Sequence, residues 1–372
     1  MPTLFEATTI NGLSLKNRFV RSATHEAKAG GDGEVTDRLI DYLVALARGG
    51  VGLIITGHAS VCPEGQASPH QLGIYDDSHI RGLRRLTTAL HDNGGVCAAQ
   101  LAHAGLRGIG GDNHPALGPA AVTDRGKRNA AAMNEADLRR TVAAFAAAAG
   151  RAREAGFDAV QIHAAHGYLL SQFLSPHYNT RDDDYGGPLA NRARLLCEVY
   201  AAIRKEVGPS FPVLLKINAE DFLENGLTAD ESLAACRLLA DQGIDAVEMS
   251  GGTIDSGKNT PWRLGTAKEV EREVYYRRQA AAFKKDCGVP LILVGGFLSF
   301  ASADEAVRSG LTDYVALSRP LIREPDLIAR WAAGDTRKAE CSSCNRCFAT
   351  NLSKEGLFCA GTRTRPSVPW QE

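Results

Sequence analysis

Eight short apolar runs, each followed by glycine or polar residues and separated by helix-like stretches, constrain this chain more than any other feature. They fall at 18–22, 51–56, 96–101, 158–162, 212–217, 246–249, 290–294 and 314–317. Strands that alternate with helices pair in parallel, because each helix carries the chain back along the sheet before the next strand begins. Eight such units predict an α/β fold, a (β/α)8 TIM barrel, whose working face lies at the C-terminal ends of the strands. The helix ahead of the fourth run illustrates the pattern. Asn134 can cap it, Leu138, Val142, Phe145, Ala149 and Ala152 recur at helical spacing, and Gly156 can end it in a left-handed turn. Ahead of the first run, Asn11-Gly12 sits between extended residues, the signature of a tight hairpin, expected to plug the barrel bottom. With 372 residues and 44% hydrophobic content, the chain can bury one large barrel plus an appendage. We expect the barrel over residues 1–335 and a short cysteine-rich C-terminal extension over 336–372.

Charge narrows the partners. The formal net charge is −1, and Lys and Arg are scattered without basic runs, so nothing draws the chain to nucleic acid or to an anionic membrane. A small molecule is the expected ligand. The N-terminus has no basic segment followed by an apolar one, and no apolar run nears the ~20 residues that span a bilayer, so a soluble, cytoplasmic protein is expected. Of nine cysteines, Cys62, Cys97, Cys197, Cys236 and Cys287 are dispersed through apolar or helical contexts and read as buried thiols.

Chemistry concentrates just after the strands. His163, His166 and Tyr168 follow the fourth, so two imidazoles and a phenol converge at one strand end, suited to an oxyanion or a carbonyl. Gly295-Gly296 and Ser318-Arg319 end the seventh and eighth, where such barrels bind phosphate: glycines admit a close backbone approach and arginine adds charge-assisted hydrogen bonds. Lys216 is a charge inside the apolar fifth strand, which implies an anionic partner. A metal-dependent hydrolase barrel using His163, His166 and His103 is the alternative of another class. It should also offer a histidine pair after the first strand and an aspartate after the eighth, where this chain has Ser22-Ala23-Thr24 and Ser318-Arg319. The glycine-rich segment 108–111 lacks a preceding strand and reads as a loop, so no dinucleotide-binding fold is expected.

His163-Ala-Ala-His166-Gly-Tyr168 continues as Leu169-Leu-Ser-Gln-Phe-Leu-Ser-Pro176, then Asn179-Thr-Arg181, Tyr185-Gly-Gly187 and Asn191-Arg-Ala-Arg194. This ungapped stretch resembles the flavin-dependent Old Yellow Enzyme family. The resemblance implies FMN and an ene reductase carrying hydride from NAD(P)H, through flavin N5, to the activated C=C bond of an enone, enoate or enoyl thioester. His163 and His166 would bind the carbonyl oxygen, and Tyr168 would protonate the α-carbon. Lys216 stands where many relatives have arginine beside the flavin N1/O2 edge, and Gln100 matches the glutamine that bonds the pyrimidine. Gly57 would leave room for the ring system, and Ser22, Ala23 and Thr24 would contact it through backbone. Gly295, Gly296 and Arg319 would hold the phosphate, with Ser318 contributing only its backbone N–H, because relatives have glycine there. His25 stands where other branches have threonine or cysteine and the dienoyl-CoA reductase branch has histidine. His103 could pack beneath the cofactor but reads as structural. Ser250 and Gly251 would shape the pocket, and Arg263 is a candidate substrate contact. An amine-oxidising dehydrogenase of the trimethylamine dehydrogenase type is the alternative within this fold; there a cysteine at the position of His25 attaches the FMN.

Cys341, Cys344, Cys347 and Cys359 resemble the four-cysteine [4Fe–4S] motif of the dienoyl-CoA reductase and trimethylamine dehydrogenase branch. Four thiolates with x2, x2 spacing suit such a cluster better than a zinc ribbon, though zinc, a disulfide and free thiols remain alternatives. Relatives of that branch continue into an FAD/NAD(P)H domain that this sequence does not include, so a structural cluster or a separate electron-transfer protein is expected. A homo-oligomer is the expected assembly.

Overall fold

The computed structural model describes residues 1–109, 115–124, 128–264, 273–351 and 353–361. Eight parallel strands close into a barrel: Phe19–Arg21, Leu53–Ile55, Cys97–Ala102, Ala159–Ala164, Val213–Asn218, Ala246–Ser250, Leu291–Val294 and Tyr314–Leu317. Each pairs with the next in sequence, the eighth pairs with the first, and the third pairs with the fourth. All eight expected strands are present and the (β/α)8 fold is the one observed. The glycine-rich segment 108–111 lies partly outside the described residues.

The hairpin forms from Thr8–Ile10 and Leu13–Leu15. Asn11 and Gly12 adopt φ of 43° and 79°, the left-handed pair that a tight two-residue turn requires. Ile10 and Leu15 bury against inward residues of the strands, among them Val20, Leu53, Ala98, Leu214, Ile292 and Tyr314, so the hairpin does fill the lower barrel. The Tyr314 hydroxyl lies 3.1 Å from Thr8 Oγ1 and 3.2 Å from the Thr9 carbonyl, which anchors the plug to the eighth strand.

Helix Glu135–Glu154 starts as expected. Asn134 accepts from the Asp137 amide at 3.0 Å while Asp137 accepts from the Asn134 amide at 2.8 Å, a reciprocal cap. Leu138, Phe145, Ala149 and Ala152 are its buried stripe, and Gly156 follows at φ 87°. Unforeseen from the sequence was a small sheet on the barrel rim, Ala116–Gly118, Val122–Asp124 and Arg128–Ala132. Its strands are short and alanine-rich, so no alternation of apolar and polar residues announces them. Arg181 braces this region: its guanidinium donates to the carbonyls of Pro119 at 3.0 Å and Met133 at 2.8 Å and pairs with Asp183. Among the described residues, no helix is long and apolar enough to cross a membrane.

Asn134→Ala removes one half of the reciprocal cap and should lower unfolding stability by about 1 kcal/mol. Urea titration should show a reduced midpoint with an unchanged slope; an unshifted midpoint would mean that the helix start is held by packing alone.

Candidate active site

The strand ends open into a cavity of about 450 Å³. Its floor is polar. Lys216 and Glu248 face each other across the fifth and sixth strands, where they are register partners. Lys216 Nζ lies 2.9 Å from Glu248 Oε1 and 2.7 Å from Ser22 Oγ, and both charged side chains are buried. Gln161 Nε2 donates to the second Glu248 oxygen at 2.7 Å, and Gln100 Nε2 donates to Gln161 Oε1 at 2.7 Å. A buried ion pair of this kind persists only when its remaining donors and acceptors are also satisfied, and these neighbours do so.

One wall carries the imidazoles. His163 projects from the fourth strand, beside Lys216 in register. The chain then bends sharply: His166 and Gly167 both take left-handed φ, 64° and 75°, and the His166 amide is tied to Asn218 Oδ1 at 3.0 Å. This bend returns Tyr168 toward the cavity, so residues two and four positions beyond the strand face the same space as His163. The His163 and His166 rings stand 5.3 Å apart nearly edge-on, and the Tyr168 ring is 5.1 Å from His163. His166 Nε2 bonds Ser250 Oγ at 2.8 Å; the Tyr168 hydroxyl bonds His58 Nε2 at 3.2 Å; His163 Nδ1 is buried without a partner. His58 in turn stacks on His25 at 4.9 Å.

Burial keeps this wall uncharged. It holds His163 and His166 well below the ordinary imidazole value, with the Lys216 ammonium adding to the effect on both. His25 falls to about 4 and His58 to about 3 for the same reason, and burial pushes the Tyr168 phenol up to about 12. Near neutral pH the wall therefore offers neutral N–H and O–H donors.

At the far end, Gly295 and Gly296 take φ of 128° and 83°, and an added Cβ on Gly296 would meet the Tyr275 ring at 2.6 Å, so only glycine fits. Arg319 lines this end and donates to Asn345 Oδ1 at 2.6 Å and to the Arg263 carbonyl at 2.9 Å. Asn345 belongs to the C-terminal segment, which lies along the cavity: Ser343, Phe348 and Asn351 line it, and Phe348 packs on Trp262 at 4.9 Å.

Residues 3–337 match the NADH:flavin oxidoreductase / NADH oxidase family. The chain belongs to this family, which is of the Old Yellow Enzyme type. It is a flavin-dependent oxidoreductase by that membership. It is 38% identical over 331 residues to the NADPH dehydrogenase of Geobacillus thermodenitrificans, covering 87% of this chain and 91% of that protein. A solved Old Yellow Enzyme homologue from Zymomonas mobilis superposes with a TM-score of 0.77 at 27% identity, covering 91% of this chain and 94% of that one. The structure of a 2-naphthoyl-CoA reductase gives a TM-score of 0.84 at 28% identity; it covers 91% of this chain, which spans only 54% of that larger protein.

Of the residues expected in an Old Yellow Enzyme site, the cavity gathers Ser22, Ala23, Thr24, His25, Gln100, His163, His166, Tyr168, Lys216, Ser250, Gly295, Gly296, Ser318 and Arg319. Others lie elsewhere. Gly57 is not on the wall: its missing side chain clears Glu26, whose carboxylate would sit 2.0 Å from an added Cβ and which pairs with buried Arg21. Gly251 packs under the Tyr276 ring, and Arg263 lies over Phe222, Tyr275 and Tyr276 with its ring-to-cation distances at 4.6–5.3 Å. His103 is buried away from the cavity, accepting from the Gly105 amide. Among the described residues, His163, His166 and His103 form no group with ligand atoms drawn together; that closeness is found instead in His91, Cys97 and Asp158, at the opposite end of the barrel. Family membership likewise overrules the hydrolase alternative. The anionic partner that Lys216 demanded is Glu248 of the chain itself. Sequence reading missed Glu248, although it too is a charge inside an apolar run, and missed His58, although it follows the second strand by three residues.

His58 sets a pH dependence with a definite sign. As pH falls from 6.5, the unfolded chain binds a proton that the folded protein refuses until about 3, so stability is lost through that window. The slope for one such group is about 1.4 kcal/mol per pH unit. His58→Gln should flatten the plot of unfolding free energy against pH by that amount, as followed by urea titration of cofactor-stripped protein. Parallel plots would show that His58 is protonated in the fold.

Proposed function

We propose that this protein is an FMN-dependent ene reductase that uses NAD(P)H to reduce the activated C=C bond of an α,β-unsaturated carbonyl compound, whether enone, enoate or enoyl thioester. The observation that carries this reading is the wall of two neutral imidazoles and a protonated phenol facing a polar cavity floor.

The donor set fits FMN. Arg319, with the backbone at Gly295, Gly296 and Ser318, would hold the phosphate. Lys216 and Gln100 would hold the pyrimidine edge, and Ser22, Ala23, Thr24 and His25 would lie along the ring. When bound, FMN supplies the capacity to take hydride from NAD(P)H and release it to carbon. The rest falls to the chain. His163 and His166 donate hydrogen bonds to the carbonyl oxygen of the acceptor. Because neither imidazole carries a permanent charge, these bonds strengthen as negative charge grows on that oxygen, so they favour the transition state over the bound substrate. Tyr168 retains its proton at neutral pH and delivers it to the α-carbon, with His58 fixing the hydroxyl. Trp262, Phe348 and Tyr275 give the cavity mouth an aromatic lining for the rest of the acceptor. With no dinucleotide-binding fold among the described residues, nicotinamide and acceptor occupy this cavity in turn, and ping-pong kinetics follow.

The four C-terminal cysteines hold a [4Fe–4S] cluster in this reading, fed by or feeding a separate electron-transfer protein. No disulfide joins them. Among the described residues they do not form a group with sulfurs within 4.8 Å of one another. A single zinc, with sulfur ligands at about 2.3 Å, needs them closer than that, whereas a cuboidal cluster spreads its ligands further. Anaerobically purified protein should contain iron and acid-labile sulfide; stoichiometric zinc without iron would overturn the assignment.

His163 and His166 replaced together by alanine should leave FMN bound but slow the reoxidation of reduced flavin by an enone at least ~100-fold, the loss typical of even one oxyanion donor. Stopped-flow absorbance reads this directly, and an unchanged rate would remove both residues from the reaction.

A further inference from the structure

Glu248 is a fully buried carboxylate for which the mechanism above has no use. We propose that it is a positioning residue that fixes both the net charge of the cavity floor and the direction in which Gln100 presents its amide. The inference rests on the flavin reading, since the floor is where the pyrimidine edge would lie.

Hydrogen-bond polarity comes first. An ionised carboxylate can only accept. Glu248 Oε1 takes the Lys216 ammonium at 2.9 Å and the Ser22 hydroxyl at 2.5 Å, and Oε2 takes Gln161 Nε2 at 2.7 Å. Gln161 must therefore turn its NH2 toward Glu248 and its carbonyl toward Gln100. That carbonyl accepts Gln100 Nε2 at 2.7 Å, so Gln100 in turn must keep its NH2 toward Gln161 and its own carbonyl oxygen to the side. One carboxylate thereby orients two amides in series, although neither could be oriented by its shape alone. Gln100 lines the cavity, and the face it offers is set two residues away.

Charge follows. Lys216 and Glu248 sum to zero in a buried floor, where neighbouring charges are weakly screened. Two of the three ammonium donors of Lys216 go to Ser22 and Glu248, and the third remains for a ligand. A flavin gaining electrons above this floor is favoured by Lys216 and opposed by Glu248. The pair therefore holds the flavin potential below the value that the lysine alone would produce.

Redox titration of the holoenzyme against reference dyes tests both parts. Glu248→Gln should tighten the hold on reduced over oxidised FMN about tenfold, a rise of about 30 mV for a two-electron couple. Lys216→Met should shift the potential the other way, and the Lys216→Met/Glu248→Gln double variant should return it close to that of the parent. The double variant leaves no buried unpaired charge, so it keeps the test open if Glu248→Gln fails to fold. Gln161→Leu keeps the ion pair but cuts the link to Gln100; it should weaken FMN binding several-fold with little change in potential. A Glu248→Gln protein that holds FMN at an unmoved or lowered potential would overturn the charge role, as would a double variant far from the parent. Unchanged FMN affinity in Gln161→Leu would overturn the amide role. A parent protein that retains no FMN would overturn the flavin reading, and this inference with it; a flavin-loaded parent with unmoved variants would overturn this inference alone.

Discussion

Closure of the parallel sheet is the constraint on which the rest depends. Because the fourth strand pairs with the third in the same sense as every other neighbour, all eight C-terminal ends meet on one rim. Residues separated by hundreds of positions then become neighbours without any local signal. Thr24 and Ser318, at the ends of the first and eighth strands, meet at 2.7 Å between hydroxyls. Register does the same for the floor: Gln100 sits opposite Gln161, His163 opposite Lys216, and Lys216 opposite Glu248. A shift of one residue in any of these pairings would turn the polar side chain outward, into the helices.

The barrel interior is divided by polarity. Below, the hairpin and inward strand residues make an apolar layer with Ile10, Leu15, Leu53, Leu214 and Ile292 fully buried. Above it lies a layer of Ser22, Gln100, Gln161, Lys216 and Glu248, equally buried yet polar or charged. Such a layer is costly unless every donor and acceptor is matched, and its hydrogen bonds link all five side chains into one chain. The apolar layer fills the lower barrel, and the polar layer underlies the cavity.

The barrel was legible because its signals are local. Apolar strands, the Asn11-Gly12 turn and the Asn134 cap each depend on residues within a few positions, and each stands where expected. Most of the site was legible for a related reason: in a closed barrel, residues at or just past the C-terminal end of a strand lie at the rim, so His163, Ser22 and Arg319 could be placed from chain position. What escaped depends on distance. Gly57 was taken as clearance for a ring because nothing nearby shows that Glu26 occupies that space. Lys216 announced a missing anion but not which one, since Glu248 lies on the next strand. Asn345, Phe348 and Asn351 reach the cavity only because the C-terminal segment folds back, with the Leu357 amide bonded to the Glu26 carbonyl at 2.7 Å. No periodicity records such a path.

Burial makes the histidine wall neutral, and the polar layer beneath adds to the effect. Lys216 lies beside His163 in register, and its ammonium disfavours a second positive charge on either His163 or His166. A protonated pair would attract anions in the ground state, and tight binding of a resting carboxylate or phosphate would raise the barrier to any later change in charge. Neutral imidazoles avoid this. In the proposed reaction they would bind a carbonyl oxygen weakly at first and more strongly as charge moves onto it, which is the ordering that lowers a barrier. The lysine thus acts twice, as a cation in the floor and as a charge that adds to the effect of burial on the wall above it, and Glu248 limits how far the first role can go.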